Sequence, residues 1–220
     1  MARDPNHELR KRYEQSLGVE LGSVFAELWQ ELVWLHTVWQ EYRMIFGTTQ
    51  GQLDIANQAA GTFFYVIQKT MWEGVLLHLA RMTGPAQSIG KKNLSVPALL
   101  PLVKPELQAE VALLTDAALR DTEFARDWRN RYIAHKDLPL ALGNQAAPPL
   151  QSASREAVEL ALKSLDDLLN AIDRSYNEST TMFRGIEHHT GANRLLQVLQ
   201  KGLKAEEIEE LEFRRRWSLT

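Results

Sequence analysis

Not one cysteine occurs among the 220 residues. That excludes disulfides, thiolate nucleophiles and cysteine-ligated zinc, and it fits a reducing compartment, so a cytoplasmic setting is expected. A basic excess is missing too. Lys and Arg number 25 against 28 Asp and Glu, a net charge of −3. No global positive field advertises nucleic acid, so any RNA contact has to come from a local patch. Long hydrophobic runs are also absent. The most apolar stretch, 63–79, is interrupted by Gln68, Lys69 and Glu73, which argues against a bilayer span. The first fifteen residues are polar and lack the apolar centre of a secretory signal. Nor does any segment show the strict alternation that strands need.

What remains is globular composition, 45% hydrophobic and 24% charged, with helical periodicity. Over 17–46, Phe25, Leu28, Trp29, Leu32, His36 and Trp39 recur at spacings of three and four. Val24, Val33, Trp34 and Val38 add a second apolar face. After a turn at 47–52, a second long helix is expected over 53–82, stopped by Gly84-Pro85. Helices apolar on more than one face sit at the centre of a bundle or bury against a second copy, so a homodimer is expected. A polar loop (86–94) leads to a short helix capped by Ser95 and carrying Pro97, then to a helix from Pro105 to Leu119. Asp121 or Thr122 caps the next helix, which carries Phe124, Trp128 and Tyr132 and which Pro139 should end. A loop over 140–152 precedes an amphipathic helix opened by Ser154. Its apolar side holds Val158, Leu165, Leu168, Leu169 and Ile172, and its solvated side Lys163, Asp166, Asp167, Asn170 and Asp173. Two short helices, 193–200 and 205–215, complete the chain; the second starts acidic and ends in Arg214 to Arg216, which suits the helix dipole. The expectation is an all-α bundle of long antiparallel helices over 15–180, with a C-terminal helical extension over 181–220.

Most polar clusters have ordinary explanations. The loop Gly84 to Lys92 superficially resembles a phosphate loop. However, five residues separate its glycines, Lys92 stands where Ser or Thr should bind magnesium, and a helix precedes it instead of a strand. Glu187, His188 and His189 lack a third ligand at helical spacing, so no metal is expected. No cofactor is called for either. His36 and His78, set among apolar residues, read as hydrogen-bonded core or edge histidines. Trp29, Trp34, Trp39 and Trp72 read as core or dimer seam, and Glu206 to Glu212 as a solvated face.

The run Trp128 to Asp137 (WRNRYIAHKD) is different, because it packs cations, an amide and an imidazole into two turns at a helix end. Cleavage of RNA by its own 2′-hydroxyl needs a proton acceptor, a proton donor and positive charge on the developing phosphorane. Histidine and arginine supply these without a metal, and the arginine fork grips phosphate. On helical phase alone His135 shares a side with Phe124 and Trp128, so a buried capping histidine is the competing reading.

Arg129, Asn130 and His135, with five residues between Arg and His, resemble the signature of the HEPN superfamily: Arg, four to six residues, then His, with Asn, Asp or His after the Arg. Two long helices, a motif helix ending Ala134-His135-Lys136-Asp137, a loop and an amphipathic helix resemble its AbiU-like abortive-infection branch over about 15–180. The resemblance implies a HEPN-like helical bundle that dimerises with both motifs facing one cleft. It also implies metal-independent endoribonuclease activity in phage defence or a toxin–antitoxin system, RNA as partner, and an antitoxin protein as a second partner. On that footing His135 transfers the proton, Arg129 stabilises the phosphate charge, and Asn130 orients the site. Arg131, four residues from His135 and closer to its face, competes with Arg129 and stands with Lys136 as a phosphate contact. Some family toxins carry a modifiable Tyr two residues after the His. Asp137 stands there, so that mode of silencing is not implied. The alternative within the same fold is a non-catalytic RNA- or protein-binding module.

Overall fold

The computed structural model describes residues 5–47, 49–144, 146–185 and 190–217. It is an all-α helical bundle. In chain order it comprises α1 (Pro5–Leu17), α2 (Val19–Phe46), α3 (Gln50–Met82), a hairpin of β1 (Gln87–Ser88) and β2 (Lys91–Lys92), and a 3₁₀ turn (Val96–Ala98). These are followed by α4 (Pro105–Asp121), α5 (Glu123–Trp128), a π turn (Arg129–Ile133), α6 (Leu138–Ala141), α7 (Arg155–Asn177) and α8 (Ala192–Trp217). No described helix is long and apolar enough to cross a membrane. Among the described residues the hairpin is the departure from the strandless expectation. Its connecting residues, Ile89 and Gly90, both have positive φ (48° and 75°), as a two-residue hairpin turn of primed type requires.

Two compact units make up the chain: Met1–His36 with Glu73–Arg184, and Thr37–Trp72 with Gly185–Thr220. In the first, Ser154 caps α7 by accepting from Ala157 N at 3.1 Å, as its position in the sequence predicts. Helix α7 then packs along α4 and buries Val158, Leu162, Leu165, Leu168, Leu169 and Ile172 almost completely. Also buried in this unit are Phe25, Leu28, Leu32 and Leu35 of α2 and Val75, Leu76 and Leu79 of α3. Each such side chain contributes about 1.5–3 kcal/mol through burial.

The polar side of α7 departs from expectation. Lys163 and Asp167 are exposed and paired, but Asp166 and Asp173 are buried. For Asp166 the reason is the segment after α7, which folds back and supplies partners, while Asp173 accepts from Asn177 Nδ2 within the helix. Asn170 Oδ1 accepts from Thr181 N at 2.7 Å, and Arg184 Nε donates to Asp166 Oδ2 at 3.2 Å. Asp166 Oδ1 lies 2.6 Å from Nε2 of the buried His36, over which Phe183 stacks at 5.7 Å. Paired in this way, the charge tolerates burial. His36 is thus the hydrogen-bonded core histidine its surroundings suggested.

In the second unit, Trp39, Tyr42, Phe46, Phe64 and Trp72 form an aromatic cluster, with Trp39 and Tyr42 stacked at 5.3 Å. Helix α3 is kinked at Ala60 (φ −164°, ψ 64°). Residues 192–217 form one helix rather than two short ones. Gly202, between the two expected segments, costs only about 1 kcal/mol inside a helix and does not interrupt it. The glutamates of α8 are exposed, as expected.

Candidate active site

Helix α4 runs almost directly into α5 through Thr122, whose hydroxyl donates to Ala118 O at 2.6 Å. Phe124 and Ala125 fasten α5 to the core. At Arg129 the hydrogen-bond ladder widens: Ala134 N donates to Arg129 O at 2.8 Å, an i→i−5 bond. One extra residue is thereby accommodated in the turn, a departure often found at functional sites. No side chain of the π turn is buried. Trp128 and Tyr132 meet edge to face at 5.3 Å, and Trp128 Nε1 donates to Gln151 O at 2.8 Å.

These facts decide where the motif residues stand. His135 does not lie in a last α-helical turn beside Phe124. The widened turn shifts the helical phase, and His135 falls on an exposed bend beyond it. Pro139 does not end the preceding helix either. It occupies the first turn of α6, where its missing N–H is harmless, and Asp137 caps that helix by accepting from Leu140 N at 3.1 Å.

Arg129 directs Nε and Nη2 onto Asn130 Oδ1, at 2.9 and 2.7 Å. This fork leaves its charge uncompensated: no carboxylate pairs with Arg129 among the described residues. Half-buried Arg126 lies close by and donates to Leu119 O and to the hydroxyls of Thr83 and Thr122. Burial is the main influence lowering its pKa; Glu123 opposes this, and the neighbouring Arg129 adds to it. The π turn therefore begins beside two adjacent guanidiniums.

Arg131 has a different occupation. It pairs with Asp127 at 3.3 Å and Asp137 at 3.5 Å and donates to the carbonyls of Pro148 and Pro149. Asp127 in turn accepts from Gln151 N at 2.8 Å. The guanidinium ties the loop after α6 to the motif, and gripping a phosphate would mean leaving these partners. Lys136 is exposed, with Nζ 5.4 Å from the Tyr132 ring centroid. The structure thus joins Arg129 to Asn130, leaves His135 and Lys136 open to solvent, and commits Arg131 to the scaffold.

Asp127 and Arg126 escaped the sequence reading. The i,i+4 spacing of Asp127 and Arg131 was the available signal for one of them. Among the described residues no three His, Asp or Glu side chains group as a metal site. Glu187, His188 and His189 lie outside the described residues.

Residues 18–195 match the family model HEPN AbiU2, described as AbiU2. The chain belongs to the AbiU2 family of HEPN proteins. The match runs from the α1–α2 junction into the start of α8 and contains the whole motif turn. The resemblance carried by Arg129, Asn130, His135 and the helix order was to this family, an abortive-infection-related HEPN domain. No curated protein and no solved structure matches the chain.

Proposed function

We propose that this AbiU2 protein is a metal-independent endoribonuclease that acts as a homodimer in phage defence, with or without a cognate antitoxin protein. The observation that carries the reading is the π turn: an arginine with uncompensated charge, forked onto Asn130, followed by an exposed histidine in a HEPN family member.

The chemistry follows from those side chains. The substrate's 2′-oxygen attacks the adjacent phosphorus, and the bond from phosphorus to the 5′-oxygen breaks. The products are a 2′,3′-cyclic phosphate and a 5′-hydroxyl. One His135 takes the proton from the 2′-hydroxyl. The leaving oxygen receives a proton from the second copy's His135, which two motifs sharing a cleft would bring near. Arg129 stabilises the charge that builds on the phosphorane, and Asn130 holds the guanidinium plane. Lys136 attracts neighbouring phosphates.

Exposed apolar side chains support dimerisation: Trp34 and Leu77 in the first unit; Phe63, Tyr65, Val66, Ile208, Leu211, Phe213 and Trp217 in the second. Light scattering at micromolar concentration should give twice the chain mass; a monomer would remove the shared cleft. The test of the reaction is incubation with total RNA in excess EDTA. Cleavage that leaves 2′,3′-cyclic ends is expected. RNA binding without cleavage would instead favour a non-catalytic module.

A further inference from the structure

Beside the motif, within the first unit, lies a cavity of ≈ 850 Å³ to which Arg129 contributes. Its other polar lining comes from three places: Glu31 on α2; His78 and Arg81 near the end of α3; and Ser88, Lys92 and Asn93 in and just after the hairpin. His78 and Arg81, three residues apart, share one face of α3.

Two of these groups, His78 and Arg81, meet at Glu31. His78, with a side chain only 10% exposed, places Nε2 2.6 Å from Glu31 Oε2, and Arg81 pairs with the same carboxylate oxygen. Burial first, then the Arg81 charge, lower the His78 pKa, against the pull of Glu31, so the ring leans toward its neutral form. The lining therefore holds one carboxylate and three permanent cations, Arg81, Lys92 and Arg129, and neither Lys92 nor Arg129 has an acidic partner among the described residues. Arg81 is 62% exposed at its side chain, so its guanidinium can serve Glu31 and a ligand together. The hairpin that carries Lys92 is held in place. Asn93 Nδ2 donates to Pro85 O at 2.9 Å and Ser88 Oγ at 3.0 Å, and Asn93 N donates to Ala86 O at 2.8 Å. Net positive charge in a recess lined partly by Leu28, Leu77 and Leu94 suits a phosphate joined to a flat apolar body.

We propose that this cavity is a nucleotide subsite: Arg81, Lys92 and Arg129 hold a backbone phosphate of the RNA chain, and the His78–Glu31 pair fixes the Arg81 guanidinium for that contact. The inference rests on the ribonuclease reading for its ligand, while its residues, Arg129 apart, lie outside the motif. It gives Arg129 two neighbours in function, the scissile phosphate and the one beside it.

The test is binding of an uncleavable 2′-O-methyl oligoribonucleotide to the full chain, followed by fluorescence anisotropy, with competition by adenosine 5′-monophosphate and by adenosine. Arg81→Ala should weaken oligonucleotide binding roughly tenfold, the scale of one charge-assisted contact, and lower the salt slope by about one. Because Arg81→Ala also disturbs Glu31 and His78, Lys92→Ala on the exposed hairpin is the second variant. It should weaken binding about threefold to tenfold without altering the melting curve. The monophosphate should compete and adenosine should not. Binding indifferent to both substitutions overturns the inference, even where His135-dependent cleavage is intact. Binding lost with both, in a protein that cleaves no RNA, upholds the subsite and discards the ribonuclease. Monophosphate binding without oligonucleotide binding overturns the assignment to an RNA chain.

Discussion

The motif turn, which ends at Ile133, and helix α7, which begins at Arg155, are held by opposite means. Eleven residues of α7 are buried, and its regular ladder runs from the Ser154 cap to a left-handed end at Glu178 (φ 52°). The turn Arg129–Ile133 buries none of its residues, departs from the α ladder, and is kept in shape by polar ties from Asp127, Trp128 and Arg131 to the loop at 148–151. Burial of apolar area gives α7 its stability and permits little change in volume. The turn has few packing constraints, and it leaves Arg129, with His135 on the bend beyond it, open to a ligand. Substitutions in α7 should therefore change how much protein folds, and substitutions in the turn should change what the folded protein does.

The comparison breaks if that division fails. Asp166→Ala leaves His36 and Arg184 facing a vacated buried site, and should destabilise the protein by about 3–5 kcal/mol in urea unfolding. Leu165→Ala in the core of α7 should cost about 2–5 kcal/mol, with RNA cleavage per folded molecule unchanged. Arg131→Ala sharpens the division within the motif itself. Its guanidinium is about one-fifth exposed and spent on the loop, so the loss should be about 1–2 kcal/mol with faster proteolytic nicking near 142–151. A variant that kept full stability and lost RNA affinity instead would return Arg131 to the phosphate.

The smallest effect concerns pH. His78 is held toward its neutral form in the folded state, chiefly by burial and by Arg81, while Glu31 pulls the other way; Lys92 and Arg129 share its cavity. The unfolded chain takes up that proton near the ordinary histidine value of about 6.5, so it binds more protons than the folded chain as pH falls through that range. The contribution is complete above that value and is lost below it. Urea midpoints should fall between pH 7.5 and 5.5, and the fall should be shallower in His78→Gln.

Which features were legible in the sequence follows the same division. Helices set by burial announced themselves through spacing: α2, α3 and α7 stand where Phe25 to Trp39, Phe63 to Leu79 and Val158 to Ile172 place them. The Ser154 cap was readable from one residue. What escaped depended on partners distant in sequence. Nothing around Asp166 foretells that 181–184 folds back to cover it, and nothing around Arg131 foretells the carbonyls of Pro148 and Pro149. The π turn was hidden because periodicity assumes one ladder throughout, and an extra residue at 129–133 alters the phase of all that follows. The family was legible through Arg129, Asn130 and His135, whose order in the chain does not depend on phase. The cavity around His78 was not, since Glu31, Lys92 and Arg129 meet only in the fold.

The most direct test of the central claim is the rate of RNA cleavage by His135→Ala, measured in EDTA and normalised to folded protein. Exposed on its bend, His135 should contribute within about 0.5 kcal/mol to stability, so the variant should melt like the parent chain. As the proton-transfer residue its removal should slow cleavage on the order of 10²–10⁴-fold. A variant that cleaves at the parent rate would contradict the account, and would move any nuclease activity away from the π turn.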